Sequence, residues 1–337
     1  MQQWQPRQSR PRRYRTKSRL RVFRRGRLPA LLLGAALLLF GLISLIGYGG
    51  DWLAARNTSG ELQAVYRDAP ADEPAPRTDP PAPAREGHEE TAPPAVSPVP
   101  AAAPSPAPGP EDSPSPAPHL ETMAYPNNPG LTVSRRFRAL RRESKYIMGW
   151  LNMGGLLDEP VVQRDDTFYL THDARGEENR NGAIFLEASV SIQTRPYTYI
   201  LYGHNMKTGA MFGSLRNYEN RKFYHTDPFI TFDTVYEDGR YVIFAAGSIS
   251  TEADSRHYVD FHDLKSADCE RRQAALDALI SASVYTCPVD VRTDDQLLLL
   301  VTCTEKDQDR RVVAARRIRD SEDEAALRKT VGRSRKR

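Results

Sequence analysis

The chain has 337 residues, 39% of them hydrophobic and 27% charged, and 47 Lys and Arg against 43 Asp and Glu leave a net charge of +4. The first 27 residues alone hold eleven Lys or Arg and no acid, so the overall surplus says little about the remaining residues and does not mark a nucleic-acid-binding domain. Three cysteines, Cys269, Cys287 and Cys303, are too few and too odd in number for a disulfide scaffold.

After the basic arm (1–27), Leu28 to Gly50 contains no charge. As a helix these residues would reach about 34 Å, enough to cross a bilayer core. A signal peptide is the competing reading, but its apolar run is about 7–15 residues and ends at a small-residue cleavage site. The run here is longer, and the Tyr48-Gly49-Gly50-Asp51 stretch makes a poor site. The expectation is a single-pass helix at the cell membrane with a cytoplasmic N-terminus and everything after Asp51 outside. The arm then acts as a topology signal with affinity for anionic lipid, and no nucleic-acid partner is expected.

Residues 51–124 form the expected linker: seventeen of the 26 prolines fall between Pro70 and Pro118. Such a segment buries too little apolar surface to fold and predicts an extended spacer holding a domain clear of the membrane. The folded part is expected over 125–319, with a charged, fraying tail over 320–337. Val133 to Met148 has the spacing of an amphipathic helix. PVVQRDD, FYLTHDA, GAIFLEASV, TYILYGH, PFITFDTV, YVIFAAGSI, VDVRT, QLLLLVTCT and RVVAARRI read as strands. A helix is expected from about Ala267 to Ser283, which puts Cys269 and Cys287 more than 20 Å apart by helical rise and leaves both unpaired. The pattern implies a mainly β (α+β) fold, a largely antiparallel barrel or sandwich with helical insertions.

Two strand ends carry chemistry. His204 follows Gly203 at the end of one apolar strand, and Cys303 follows Thr302 at the end of another. Each has a bland alternative, a surface loop histidine and a buried structural thiol. Together they suit nucleophilic catalysis: a thiol near pKa 8.5 needs a base or cation nearby to act as a thiolate. An oxyanion donor is also needed, and Arg310 and Arg311 lie one loop beyond the cysteine. Strand alternation lets only one of the two face the site. His172, His225, His257 and His262 have no metal spacing, and HYVDFHD (257–263) reads as a solvated loop. Glu177, Glu178, Asp307 and Asp309 could hold a cation. Met206 and Met211 read as packing near His204, and Ser248 and Ser250 as possible groove residues.

The segments YILYGHNMKTGAMFGSL, LLLLVTCT and DRRVV resemble the sortase family of cysteine transpeptidases, class B most closely, over about Gly149 to Ile318. The stretch EPVVQRDDTFYLTHDARGEENRNGAIFLEAS and the helix before the cysteine strand join in the likeness, and an anchor followed by an outer spacer fits the family. The resemblance implies a closed eight-stranded barrel, Cys303 as nucleophile, His204 as general acid/base and Arg310 as oxyanion stabiliser, with Arg311 the runner-up. A polar or acidic residue is usual just after the cysteine; Thr304 stands there, leaving a third orienting role in doubt. Class B likeness argues against a bound cation, and no cofactor is implied. The implied partners are secreted proteins with a C-terminal sorting signal and an acceptor amine, from a cell-wall peptide or a pilin lysine, on a Gram-positive surface. An inactive surface binding module and a plain cysteine protease are the rival functions.

Overall fold

The computed structural model of the chain describes residues 27–70, 120–303 and 309–337. The basic arm up to residue 26, the Pro-rich stretch 71–119, Thr304 and Asp307 therefore lie outside the described residues. Two compact units divide the chain, Met1–Ala54 and Ala55–Arg337.

Helix α1 runs from Arg27 to Asp68 over 42 residues. In the first unit its leucines and isoleucines stand open to the surroundings, from Leu42 at 53% to Leu38 at 78%. It is the one helix among the described residues long and apolar enough to cross a membrane by length and composition. The helix continues well past the apolar run, through 51–68, where a linker was expected. Its residues from Ala55 on belong to the second unit. There Ala55 and Leu62 are buried and Tyr66 stacks on Trp150 at 4.5 Å between centroids. A helical face of small and aromatic residues thus finds a core to cover, which composition alone did not reveal.

The second unit is built around a closed barrel. Its strands are β1 (Ile147–Asn152), β2 (Asp158–Val162), β3 (Ile184–Leu186), β4 (Thr198–His204), β5 (Phe229–Thr234), β6 (Arg240–Ser250), β8 (Leu297–Cys303) and β9 (Asp309–Arg317). They follow the order β1-β2-β3-β4-β8-β9-β6-β5, with β5 returning to β1. The β2/β3 and β4/β8 pairs are parallel and the others antiparallel. Leu297 to Val301 in β8 are fully buried, as expected of a strand flanked on both sides and covered on both faces. Closure leaves the barrel no open edge.

Further expectations differ from the structure outside the barrel order. The helix predicted over Val133–Met148 is shorter: α2 spans Arg135–Glu143, capped by Ser134 and ended by extended Ser144. Ile147 onward instead becomes β1. FYLTHDA is not a strand, because the Asp165 carboxylate accepts from the Thr167 and Phe168 amides and starts a 3-10 turn over Phe168–Leu170. VDVRT forms no strand, since Asp295 accepts from the Arg292 amide and closes a turn. The charged tail is ordered. Helix α3 is Arg221–Thr226, α4 is Phe261–Leu264, α5 is Cys269–Ala282 and α6 is Glu324–Val331. Leu327 and Val331, one turn apart on α6, are buried, and β10 (Arg335–Lys336) pairs with β7 (Tyr285–Thr286).

Candidate active site

The site forms where β4, β8 and β9 end together. In the parallel β4/β8 ladder, Gly203 pairs with Thr302 and His204 with Cys303. In the antiparallel β8/β9 ladder, Leu300 pairs with Val313 and Val301 with Val312. Extending that register two residues sets position 302 opposite 311 and position 303 opposite 310. His204, Cys303 and Arg310 therefore fall in one cross-strand row, and Arg311 falls in the next row, with Thr302. Side chains alternate along each strand, so the two rows belong to opposite faces of the sheet.

The contacts of the second row agree with this. The Arg311 amide donates to the Thr302 hydroxyl at 2.9 Å, and its guanidinium Nε donates to Glu219 at 2.9 Å. Thr302 is buried. Arg310 is half-buried, and its Nη1 donates to the Asp309 carbonyl at 3.3 Å. On its other side Arg310 pairs with Ile249 of β6.

His204 has a defined partner. Its Nε2 lies 2.6 Å from the carbonyl oxygen of Leu170. A carbonyl can only accept, so Nε2 carries the proton, and in the neutral ring Nδ1 holds the lone pair. Leu170 closes the 3-10 turn that replaced the expected strand. Gly182, at φ +63°, lies over the same place. A Cβ there would fall 3.0 Å from the Leu170 oxygen and 3.2 Å from His204 Cδ2, and would collide with the Tyr169 carbonyl. Glycine is needed both for the left-handed backbone and for this approach. Neither Leu170 nor Gly182 was singled out from the sequence: a backbone acceptor has no residue-type signature.

The remaining candidates scatter. His172 stacks on Phe168 at 3.9 Å, and His225 Nε2 pairs with the Ser334 hydroxyl at 2.8 Å. Burial, then Arg221, lowers the pKa of His225. Glu177 serves the loop through its backbone carbonyl, which accepts from the Asp173 amide. Met211 is buried and Met206 packs on the core. Ser248 and Ser250 pair with Arg311 and Asp309 across β6/β9, Ser248 exposed and Ser250 buried. Among the described residues no group of three or more His, Cys, Asp or Glu could hold a metal ion. Cys269 and Cys287 are free thiols. The Cys287 sulfur sits 2.9 Å from the Tyr224 hydroxyl, and burial raises its pKa, which suits an inert thiol.

Comparison with known proteins identifies the family. The sortase domain model matches residues 157–318, a span that contains His204, Cys303 and Arg310. Sortase B of Listeria monocytogenes is 31% identical over 181 residues, 53% of this chain and 71% of the relative. The chain belongs to the sortase family. Sortase B of Staphylococcus aureus is 30% identical over 175 residues, 51% of this chain and 69% of that sortase. The crystal structure of S. aureus sortase B superposes with a TM-score of 0.51 at 28% identity, covering 56% of this chain and 90% of that one. A Bacillus anthracis protein similar to sortase B shares the fold at a TM-score of 0.56 and 23% identity, over 79% of this chain and 97% of that chain. This sortase is thus of class B type and a cysteine transpeptidase.

Proposed function

We propose that this chain is a membrane-anchored sortase that joins secreted proteins to an amine at the cell surface, with Cys303, His204 and Arg310 as its catalytic residues. The observation that carries the assignment is the pairing of His204 with Cys303 in the β4/β8 ladder, to which the β8/β9 register, extended by two residues, adds Arg310. Arg310 is preferred over Arg311 because the register sets it opposite position 303, whereas Arg311 shares a row with Thr302. The apolar part of α1 supports the anchor, and the basic arm before it supports a cytoplasmic N-terminus. The S. aureus relative solved as a sortase B–substrate complex supports a peptide substrate of the sorting-signal class.

The reaction has two steps. The Cys303 thiol passes its proton to Nδ1 of His204, and the thiolate attacks the scissile carbonyl, forming the carbon–sulfur bond of a tetrahedral intermediate whose oxyanion the Arg310 guanidinium steadies. The carbon–nitrogen bond breaks as His204 hands a proton to the leaving amine, leaving a thioacyl enzyme. An incoming amine from a wall peptide or a pilin lysine then attacks the thioester. His204 takes its proton, and the Cys303 sulfur leaves. Hydrogen bonding of Nε2 to Leu170 leaves Nδ1 as the nitrogen for this exchange.

The test incubates the full chain, in detergent, with a panel of sorting-signal peptides and then with amines. Intact-mass measurement is expected to find a thioacyl adduct on Cys303 that converts to an amide product when an amine is added. No adduct with any peptide removes the enzyme assignment, and hydrolysed product alone in excess amine replaces transfer by simple proteolysis.

A further inference from the structure

The C-terminal part of α1 reaches the loop that holds the His204 ring through two side-chain contacts, an ion pair of Glu61 with Arg175 at 2.5 Å near the surface and a part-buried hydrogen bond deeper in. Thr58 donates its hydroxyl to Asp173 Oδ2 at 3.0 Å. Asp173 is buried, and its other oxygen accepts from three successive amides, Arg175 at 2.9 Å, Gly176 at 3.1 Å and Glu177 at 3.0 Å. One carboxylate thus ties the loop's turn to the helix. The loop then folds back on the 3-10 turn. The Asn179 amide donates to the Thr171 carbonyl at 2.8 Å, and the Ala183 amide to the Tyr169 carbonyl at 3.0 Å. Between those two anchored residues lies Leu170, whose carbonyl accepts from His204 Nε2. Gly182, where an added Cβ would lie 3.2 Å from the ring, closes the same loop with its amide donating to the Asn179 carbonyl at 3.0 Å.

We propose that Thr58 and Asp173 are positioning residues for catalysis: the helix clamps the 170–183 loop through them, and the loop holds His204 in its Nε2–H tautomer with Nδ1 toward the acyl-transfer row. The inference rests on His204 being the acid/base proposed above. Neither residue touches the reacting atoms. They act through the Leu170 carbonyl, and the helix that follows the apolar run thereby becomes part of the active-site framework. A neighbouring contact provides the contrast. Ser59 donates to Glu159 on β2 at 2.5 Å, fastening the same helix to a strand without touching the loop.

The test uses the full chain in detergent micelles, labelled with nitrogen-15 at its seven histidines. The His204 ring signals are identified by their loss in His204→Gln. In the wild type the neutral ring is expected to give the Nε2–H pattern. Thr58→Val keeps the side-chain shape and removes the donor; it is expected to yield a mixture of tautomers. It should also slow iodoacetamide alkylation of Cys303 at neutral pH by about fivefold or more, followed by peptide mapping so that Cys269 and Cys287 do not interfere. Thr58→Ser should restore both readouts, Asp173→Asn should change them as Thr58→Val does, and Ser59→Ala should leave them at wild-type values. Wild-type tautomer and alkylation rate in both Thr58→Val and Asp173→Asn overturn the proposal, and so does a Ser59→Ala effect equal to that of Thr58→Val. If His204→Gln itself leaves Cys303 alkylation unchanged, the acid/base assignment falls, while the tautomer comparison still decides the role of the clamp.

Discussion

The two ends of β8 hold arginines in opposite ways. Beside its first residues lies Arg272 of α5, fully buried and, among the described residues, without a carboxylate in salt-bridge reach. Its guanidinium donates to the carbonyls of Thr293 at 2.6 Å, Tyr197 at 3.2 Å and Asp295 at 2.8 Å, to the Thr198 hydroxyl at 2.8 Å, and to the Leu264 carbonyl. Burial lowers its pKa to about 10. Arg316, also fully buried near this end, is held by both oxygens of Glu322 at 2.7 and 2.6 Å. At the other end Arg310 remains half-buried beside the end of the cysteine strand. A guanidinium saturated by fixed acceptors staples the barrel shut. One left partly solvated at a strand end can still serve an incoming oxyanion. The same residue type can be structural or chemical according to how far the fold removes it from solvent.

That contrast can be broken by substitution. Arg310→Ala is expected to lower transfer activity about 10²- to 10³-fold, the size of a lost oxyanion donor, with little change in melting temperature. Arg311→Ala should cost no more than a few-fold; the reverse order, measured as kcat/KM side by side, would move the oxyanion role to the other row. Arg272→Leu should do the opposite of Arg310→Ala. It strands several buried acceptors and should lose about 3 kcal/mol of unfolding free energy in urea titrations. Unchanged stability would show that the staple is dispensable.

Gly182→Ala tests the loop against the His204 ring. The added methyl group meets the Leu170 and Tyr169 carbonyls at a positive φ, so a loss of about 1–2 kcal/mol of stability and roughly tenfold in activity is expected. The smallest effect is expected at Glu159. Although the residue as a whole is half-exposed, its carboxyl is desolvated under Ser59, and burial, then the neighbouring Asp158 charge, push its pKa up to about 7 against a lowering by the Ser59 hydrogen bond. The folded form therefore prefers the proton. Its contribution is complete below about pH 4.5 and is lost as pH rises through about 7. Glu159→Gln should flatten that dependence by about 1 kcal/mol between pH 5 and 8, read from melting curves. Parallel wild-type and variant curves would mean the carboxyl is solvated.

Much of the barrel was legible because its strands carry their own signal. TYILYGH and QLLLLVTCT are apolar runs that end at a glycine-histidine and a threonine-cysteine pair, and both became neighbouring strands in register. The apolar run Leu28–Gly50 was read as helix for the same reason. What failed depended on partners distant in sequence. The helix over 51–68 is explained by Trp150, Asp158 and Asp233, which Tyr66, Arg67 and their neighbours reach only after folding. The tail reads as solvated charge until Leu327 and Val331 find the core. FYLTHDA alternates like a strand, but one Asp165 side chain ahead of it was enough to turn the chain. In the site, the row of His204, Cys303 and Arg310 could be suspected from residue types, whereas the Leu170 carbonyl that fixes the histidine could not.

The two ends of the Pro-rich stretch teach one thing more. Asp68 closes a helix seated on the barrel unit, and Leu120 resumes on that same unit, its amide donating to the Ala267 carbonyl at 2.8 Å. Both ends are thus held by the barrel unit, and the helical one is held by its phase: a single residue lost from Ala55–Asp68 would turn the contacts beyond the deletion by about 100° relative to those before it.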